Sequence, residues 1–165
     1  MKAIKCGMAT LVVCAIAFAT TTLFGEDNAT RETRDRADIE ALMWKYTRAL
    51  DSCDGATYAS TYTVDGQFSA GTNATKGHEA LAKLVVRQPA AGAPARPPLY
   101  HMELNHWIEF VNKDRVRYHA YYLTVSGAMG QDTPARIVAA GQSLDTMERV
   151  NGKWLIKTRD VAVKE

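Results

Sequence analysis

Between Leu99 and Val163 the sequence runs as long alternating stretches cut only by turn-forming residues, which commits this part of the chain to an antiparallel sheet. Leu99 to Val111 and Arg115 to Ser126 flank Asn112-Lys113-Asp114, a hairpin turn. Gly127 to Pro134 is a flexible connection, and Arg136 to Val150 resumes the extended pattern. Asn151-Gly152, a dipeptide suited to a two-residue turn, then leads into a closing strand over Lys153 to Val163. A sheet with an apolar face needs a cover, and the upstream half supplies one. Ile39, Leu42, Met43, Tyr46, Ala49 and Leu50 recur at helical spacing as one stripe. Asp35 or Asp38 can cap the start of that helix, and Asp51-Ser52-Cys53-Asp54-Gly55 ends it. Ala56 to Tyr62 reads as a short helical piece, Val64 to Ser69 as a short strand closed by Gly71 and Asn73, and Gly77 to Arg87 as a further helix. Gln88 to Pro98 holds four prolines, so it is an irregular loop and a candidate lid. Helices first and a meander after them give an α+β class: a curved antiparallel sheet packed on N-terminal helices, with Trp107 and Trp154 as core aromatics.

The 165 residues, 47% of them hydrophobic, suffice for one domain with a core of its own. Residues 1–25 stand apart: Lys2 and Lys5 precede an uncharged, largely apolar run from Cys6 to Gly25, the layout of a secretory signal peptide. Cleavage after Ala19 or after Gly25 are both compatible with the sequence, and an uncleaved membrane anchor is the weaker alternative. Residues 26–36 are charged and read as a linker, with the domain proper over 37–165. The expected location is therefore outside the cytoplasm, periplasmic or secreted. Losing residues 1–25 removes two lysines and no acids, which takes the net charge from +2 to zero, so no basic face for nucleic acid is implied. Cys53 is then the only cysteine, and the fold must be held by its core, without an internal disulfide. Asn28-Ala29-Thr30 and Asn73-Ala74-Thr75 are sequons, relevant only in a eukaryotic secretory pathway.

The chemistry-bearing residues are few. Asp51 ends the first helix and His101 begins a strand, and the two can meet only if the fold lays that helix end over that strand. A carboxylate bonded to one ring nitrogen fixes the histidine tautomer and stabilises the imidazolium formed when the other nitrogen takes a proton. Period two puts His101, Glu103 and Asn105 on one face, with Met102, Leu104, Ile108 and Phe110 on the other. Asn105 can polarise an oxygen that gains charge, and Tyr46, Tyr58, Tyr118 and Tyr122 can do the same. Trp44 and Thr47 share the flank of the helix on which Asp51 sits, so this flank can border a substrate cavity. On the residues alone two readings stay open: a catalytic dyad, or a satisfied histidine at a sheet edge beside a solvated helix end. His101 and Glu103 with His106 or His119 match no zinc spacing, and the alternation sends His106 away from His101. No metal and no cofactor are assigned. His78 is expected to be exposed, and Cys53 has no base placed beside it.

Ile39-Glu40-Ala41-Leu42 through Asp51, Val64-Asp65-Gly66-Gln67-Phe68, Gly77-His78-Glu79-Ala80-Leu81, His101-Met102-Glu103-Leu104-Asn105 and Asn151-Gly152-Lys153-Trp154 occur in the order of a known family. Over about residues 36 to 163 the chain resembles the SnoaL-like branch of the nuclear transport factor two-like superfamily. The resemblance implies a cone-shaped α+β fold enclosing a pocket. It also implies the Asp and His of scytalone dehydratase-like enzymes at Asp51 and His101, and the His-x-x-x-Asn spacing of a dehydrochlorinase at His101 and Asn105. Scytalone dehydratase itself has a tyrosine where this chain has Leu50, and a second catalytic histidine near Val125, so scytalone is not the implied substrate. The implied activity is that of a lyase of the dehydratase type, or a related isomerase, working without cofactor on a small organic, hydrophobic or aromatic substrate. An exported ligand-binding or assembly module on the same fold is the alternative, and a homodimer or homotrimer is the implied assembly.

Overall fold

The computed structural model describes residues 27–86, 97–127 and 134–163. The chain divides into two units, Met1–Thr33 and Arg34–Glu165. The segment 1–25 expected to be a signal peptide, most of the proline-rich loop and most of the connection after Gly127 lie outside the described residues. Among those described, no helix is long and apolar enough to cross a membrane.

Helix α1 (Asn28–Asp51) begins earlier than its apolar stripe. Residues 28–36, expected to be linker, contain neither glycine nor proline, and the helix runs through them. Asp27 Oδ1 accepts from the Thr30 N–H at 2.8 Å, so the cap is Asp27 and not Asp35 or Asp38. Asp35 is instead buried, taking hydrogen bonds from Trp154 Nε1 (3.2 Å) and Arg149 Nη2 (2.6 Å). Helix α2 (Gly55–Ser60) is capped by Asp54, and α3 (His78–Val85) follows a glycine at φ +82°. His78 is half-buried, its Nε2 3.0 Å from the carbonyl of Tyr62, where the sequence suggested exposure.

Six strands form one curved open sheet: β1 (Tyr62–Ala70), β2 (Asn73–Lys76), β3 (Leu99–Asn112), β4 (Arg115–Ser126), β5 (Arg136–Val150) and β6 (Lys153–Asp160), in the order β2-β1-β6-β5-β4-β3. The last four are the expected meander. The sheet is not wholly antiparallel, because β1 returns beside β6 in parallel. Strand β2 is an addition to the expected elements: Gly71 at φ +64° turns the chain, and Asn73 pairs with Ala70 instead of ending the strand. The core lies between the helices and the sheet, with Ile39, Met43 and Tyr46 of α1 packed among Tyr58, Tyr62, Leu81, Val116, Met147 and Ile156. Trp154 is buried in it, whereas Trp107 is 59% exposed, against expectation. A β-bulge explains the difference. The β3–β4 register shifts between Leu104 and Trp107, with Asn105 at φ +46°, so the alternation that would have buried Trp107 buries Ile108 instead.

Candidate active site

The last residue of α1 and the third residue of β3 meet. Asp51 Oδ1 lies 2.7 Å from Nδ1 of His101 and accepts the His101 backbone N–H at 3.1 Å. A carboxylate oxygen only accepts, so Nδ1 is the donor and Nε2 of the neutral ring is the bare nitrogen. The two contacts fix both the ring and the strand it stands on. Neither side chain is freely solvated, with 19% of His101 and 13% of Asp51 exposed.

His101 opens onto a recess of about 360 Å³ between α1 and the β3 edge of the sheet. Trp44 and Thr47 line it from α1, Tyr118 from β4, and Glu103 and His106 from β3. His106 was expected on the face away from His101; the bulge at Asn105 brings it to the same recess, where its ring stacks on Tyr118 with centroids 5.3 Å apart. Of the residues proposed from sequence to hold a substrate, Trp44 and Tyr118 are among the lining residues. Asn105 is not, because the bulge that carries it breaks the alternation that put it beside His101. Tyr46 and Tyr58 are core residues, their rings 5.1 Å apart, and Tyr58 shares a 3.1 Å hydrogen bond with Tyr62. Tyr122 spends its hydroxyl on the carbonyl of Val161 at 3.0 Å.

Beneath the recess is a cluster that sequence reasoning missed. Arg159 is 2% exposed and donates Nη1 to Asp145 and Nη2 to Glu103, while its guanidinium lies 4.6 Å over the ring of Tyr46. Two carboxylates share one cation out of water. Burial pushes the Asp145 carboxyl up to about 7, Arg159 opposes that rise, and the charge of Glu103 adds to it. The same burial, with Glu103 and Asp145 nearby, raises the Tyr118 phenol well above its ordinary range, so it stays protonated and able to donate. The signal for this cluster is faint: a charged residue in a closing strand ordinarily reads as solvated. The register of β5 against β6 shifts between Thr146 and Met147, which turns Arg159 inward where strict alternation from Ile156 points Thr158. Among the described residues, no group of three His, Cys, Asp or Glu side chains is arranged to hold a metal ion.

The described residues bring together a histidine bonded to a carboxylate, a buried phenol and a recess of ligand size. Residues 31–160 match the family model of the SnoaL-like domain. Comparison with curated proteins gives no significant match. Among solved structures, a Mycobacterium tuberculosis protein of unknown function is 18% identical with a TM-score of 0.71, over 84% of this chain and 77% of that one. An NTF2-like protein with a cystatin-like fold from Novosphingobium aromaticivorans is 20% identical, TM-score 0.67, over 85% of this chain and 92% of the other. The hexachlorocyclohexane dehydrochlorinase LinA-type3 of Novosphingobium barchaimii is 21% identical, TM-score 0.64, over 80% and 88%. At such identities the likeness is one of fold, and function has to be argued from the site. The family match spans most of the chain, which belongs to the SnoaL-like domain family.

Proposed function

We propose that this protein is a cofactor-independent lyase of the dehydratase type, or a related isomerase, acting on a small organic molecule. The observation that carries the reading is the 2.7 Å contact between Asp51 Oδ1 and His101 Nδ1 at the edge of a ligand-sized recess. Nε2 of His101 takes a proton from a substrate carbon, and Asp51 stabilises the imidazolium that results. The electron pair left on carbon forms a double bond as a group departs from the neighbouring carbon; in an isomerase the proton is returned elsewhere instead. Tyr118, which lines the recess, is the proposed donor to an oxygen gaining charge. A structure of the same fold is described as a dehydrochlorinase, and dehydrochlorination is an elimination of this kind.

Capture without turnover, the alternative on this fold, would be favoured by a pair out of reach or a filled cavity. The contact distance and the open recess weigh toward chemistry. Purified protein assayed against small β-hydroxy and β-halo carbonyl compounds tests the reading: elimination by the wild type and its loss in His101→Ala are expected, and an unaffected variant overturns the assignment.

The proposed setting is outside the cytoplasm, resting on the signal-like residues 1–25. The proposed assembly is a homodimer or homotrimer. It is supported by apolar rows across β3, β4 and β5, where Tyr100, Val125 and Ile137, and then Met102, Leu123 and Ala140, stand side by side. Tyr100, Met102 and Ile137 in these rows are exposed.

A further inference from the structure

Glu103 stands two residues from His101 on β3 and lines the same recess, yet it takes no part in the dyad. Its side chain is only 9% exposed. Oε1 accepts from Arg159, while Oε2 is buried and has no hydrogen-bond partner among the described residues. Buried carboxylate oxygens are nearly always partnered, so a bare one on a side chain that lines a recess calls for a donor. The nearby hydroxyl of Thr47 is already spent on the carbonyls of Met43 and Trp44.

Charge narrows the identity of that donor. Glu40 and Glu103 line the recess, and the described lining contains no lysine or arginine. Arg159, a cation behind it, is shared between Glu103 and Asp145. Glu40 is half-exposed and 3.3 Å from His106 Nε2, so the buried carboxylate of Glu103, one oxygen of which Arg159 does not reach, is the charge that an entering anion meets. Apart from Thr47, His101 and His106, the remaining walls are apolar or aromatic: Met43, Trp44, Met102, Leu104 and Tyr118.

We propose that Glu103 is the specificity-determining residue of the recess: its free oxygen takes a hydrogen bond from a hydroxyl or amine on the ligand. The ligand class is then a small apolar, ring-bearing molecule with such a donor and without an anionic group. This names the substrate class for the site proposed above and rests on that reading only in treating the recess as a ligand site.

Three naphthalenes test it on the full folded protein: 2-naphthol offers the donor, 2-methoxynaphthalene lacks it, and 2-naphthoate is an anion. Binding is followed by the NMR shifts of the Trp44 indole and the His101 ring. The expected order is naphthol tighter than the methyl ether by about ten- to a hundredfold, the size of a hydrogen bond to a charged group, with naphthoate weakest. In Glu103→Gln the amide oxygen faces Arg159, which leaves the amide NH₂ where Oε2 was. The naphthol preference then collapses and naphthoate gains affinity. Equal binding of naphthol and its ether by the wild type overturns the inference and leaves the elimination reading intact, as does a Gln variant that keeps the preference. If none of the three perturbs Trp44 or His101, the recess is not a ligand site, and both readings fall. The wild-type ranking needs no variant, so it decides even if Glu103→Gln does not fold.

Discussion

Asp51 holds His101 twice through one oxygen, at the ring nitrogen (2.7 Å) and at the backbone N–H (3.1 Å). Turnover and tautomer are therefore expected to separate in mutants. His101→Ala removes the base, and a loss of about 10²- to 10⁴-fold in rate is expected. Asp51→Asn keeps an oxygen for the backbone N–H but presents either that oxygen or an NH₂ to the ring, so the preference for the Nδ1–H form is lost. Long-range ¹⁵N–¹H correlation on the ring nitrogens reads this directly. A wild-type-like tautomer in Asp51→Asn, with full activity, would show that the carboxylate does not orient the ring.

Arg159 should matter more to stability than any surface ion pair of this protein. Removing it as Arg159→Leu leaves Glu103 and Asp145 buried without a cation, a change expected to cost about 3–5 kcal/mol in urea unfolding. Arg159→Lys is expected to recover only part, because a single ammonium cannot offer two carboxylates the planar fork of a guanidinium. Exposed Lys83–Glu79 is the control, with an expected effect of at most about 1 kcal/mol.

Asp145 makes stability depend on pH in the direction opposite to most aspartates. Its folded carboxyl titrates at about 7, whereas in the unfolded chain it titrates near 3.8. Between those values the folded state holds a proton that the unfolded state does not, so stability rises as pH falls through 7 and stops rising near 4. The slope from this one group approaches ~1.4 kcal/mol per pH unit inside that window. Asp54, held down by the Thr57 contacts, and Asp65, held down by Lys157, work the other way, but only below the ordinary aspartate range. Urea midpoints compared at pH 8 and pH 5.5 should rise toward acid in the wild type by more than in Asp145→Asn; equal changes in the two proteins exclude the effect.

The parts legible in the sequence are those governed by local period and by element ends. The stripe from Ile39 to Leu50 and the turn at Asn151-Gly152, with φ of +51° and +78°, are local statements and stand where expected. Asp51 and His101 are legible as a pair because each sits at the end of its element, where chain direction leaves few partners. What escapes depends on register. One extra residue at Asn105 moves His106 into the recess and Trp107 out of the core, and the shift at Thr146 and Met147 turns Arg159 inward. A bulge leaves no periodic trace beforehand, since the residues on either side of it each keep perfect alternation.

Gly55 is where the two short helices press together. A Cβ on it would stand 2.2 Å from the carbonyl oxygen of Ala82, which is backbone and cannot swing aside. Gly55→Ala must therefore push α2 off α3, and a loss of about 1–3 kcal/mol is expected from this overpacking. Gly71→Ala is the contrast, because its Cβ meets nothing and only the positive φ of 64° is penalised. Thermal melts of the two variants should show the larger drop for Gly55→Ala; the reverse order would mean that backbone conformation outweighs the close approach.

Tyr121 is 53% exposed on β4, directly across from Leu104 of β3 and close to the Met102–Leu123–Ala140 row. Contiguous exposed apolar rows on a sheet are seldom left to solvent in a stable protein. If this face joins copies of the chain, Tyr121→Asp places a charge in the interface while leaving the folded unit untouched, because the residue packs into no core. Sedimentation velocity on the purified protein is expected to give a dimer or trimer for the wild type and a smaller species for Tyr121→Asp, with an unchanged circular dichroism spectrum. A monomeric wild type removes the assembly proposal, and an unshifted oligomer in the variant moves the interface to another face.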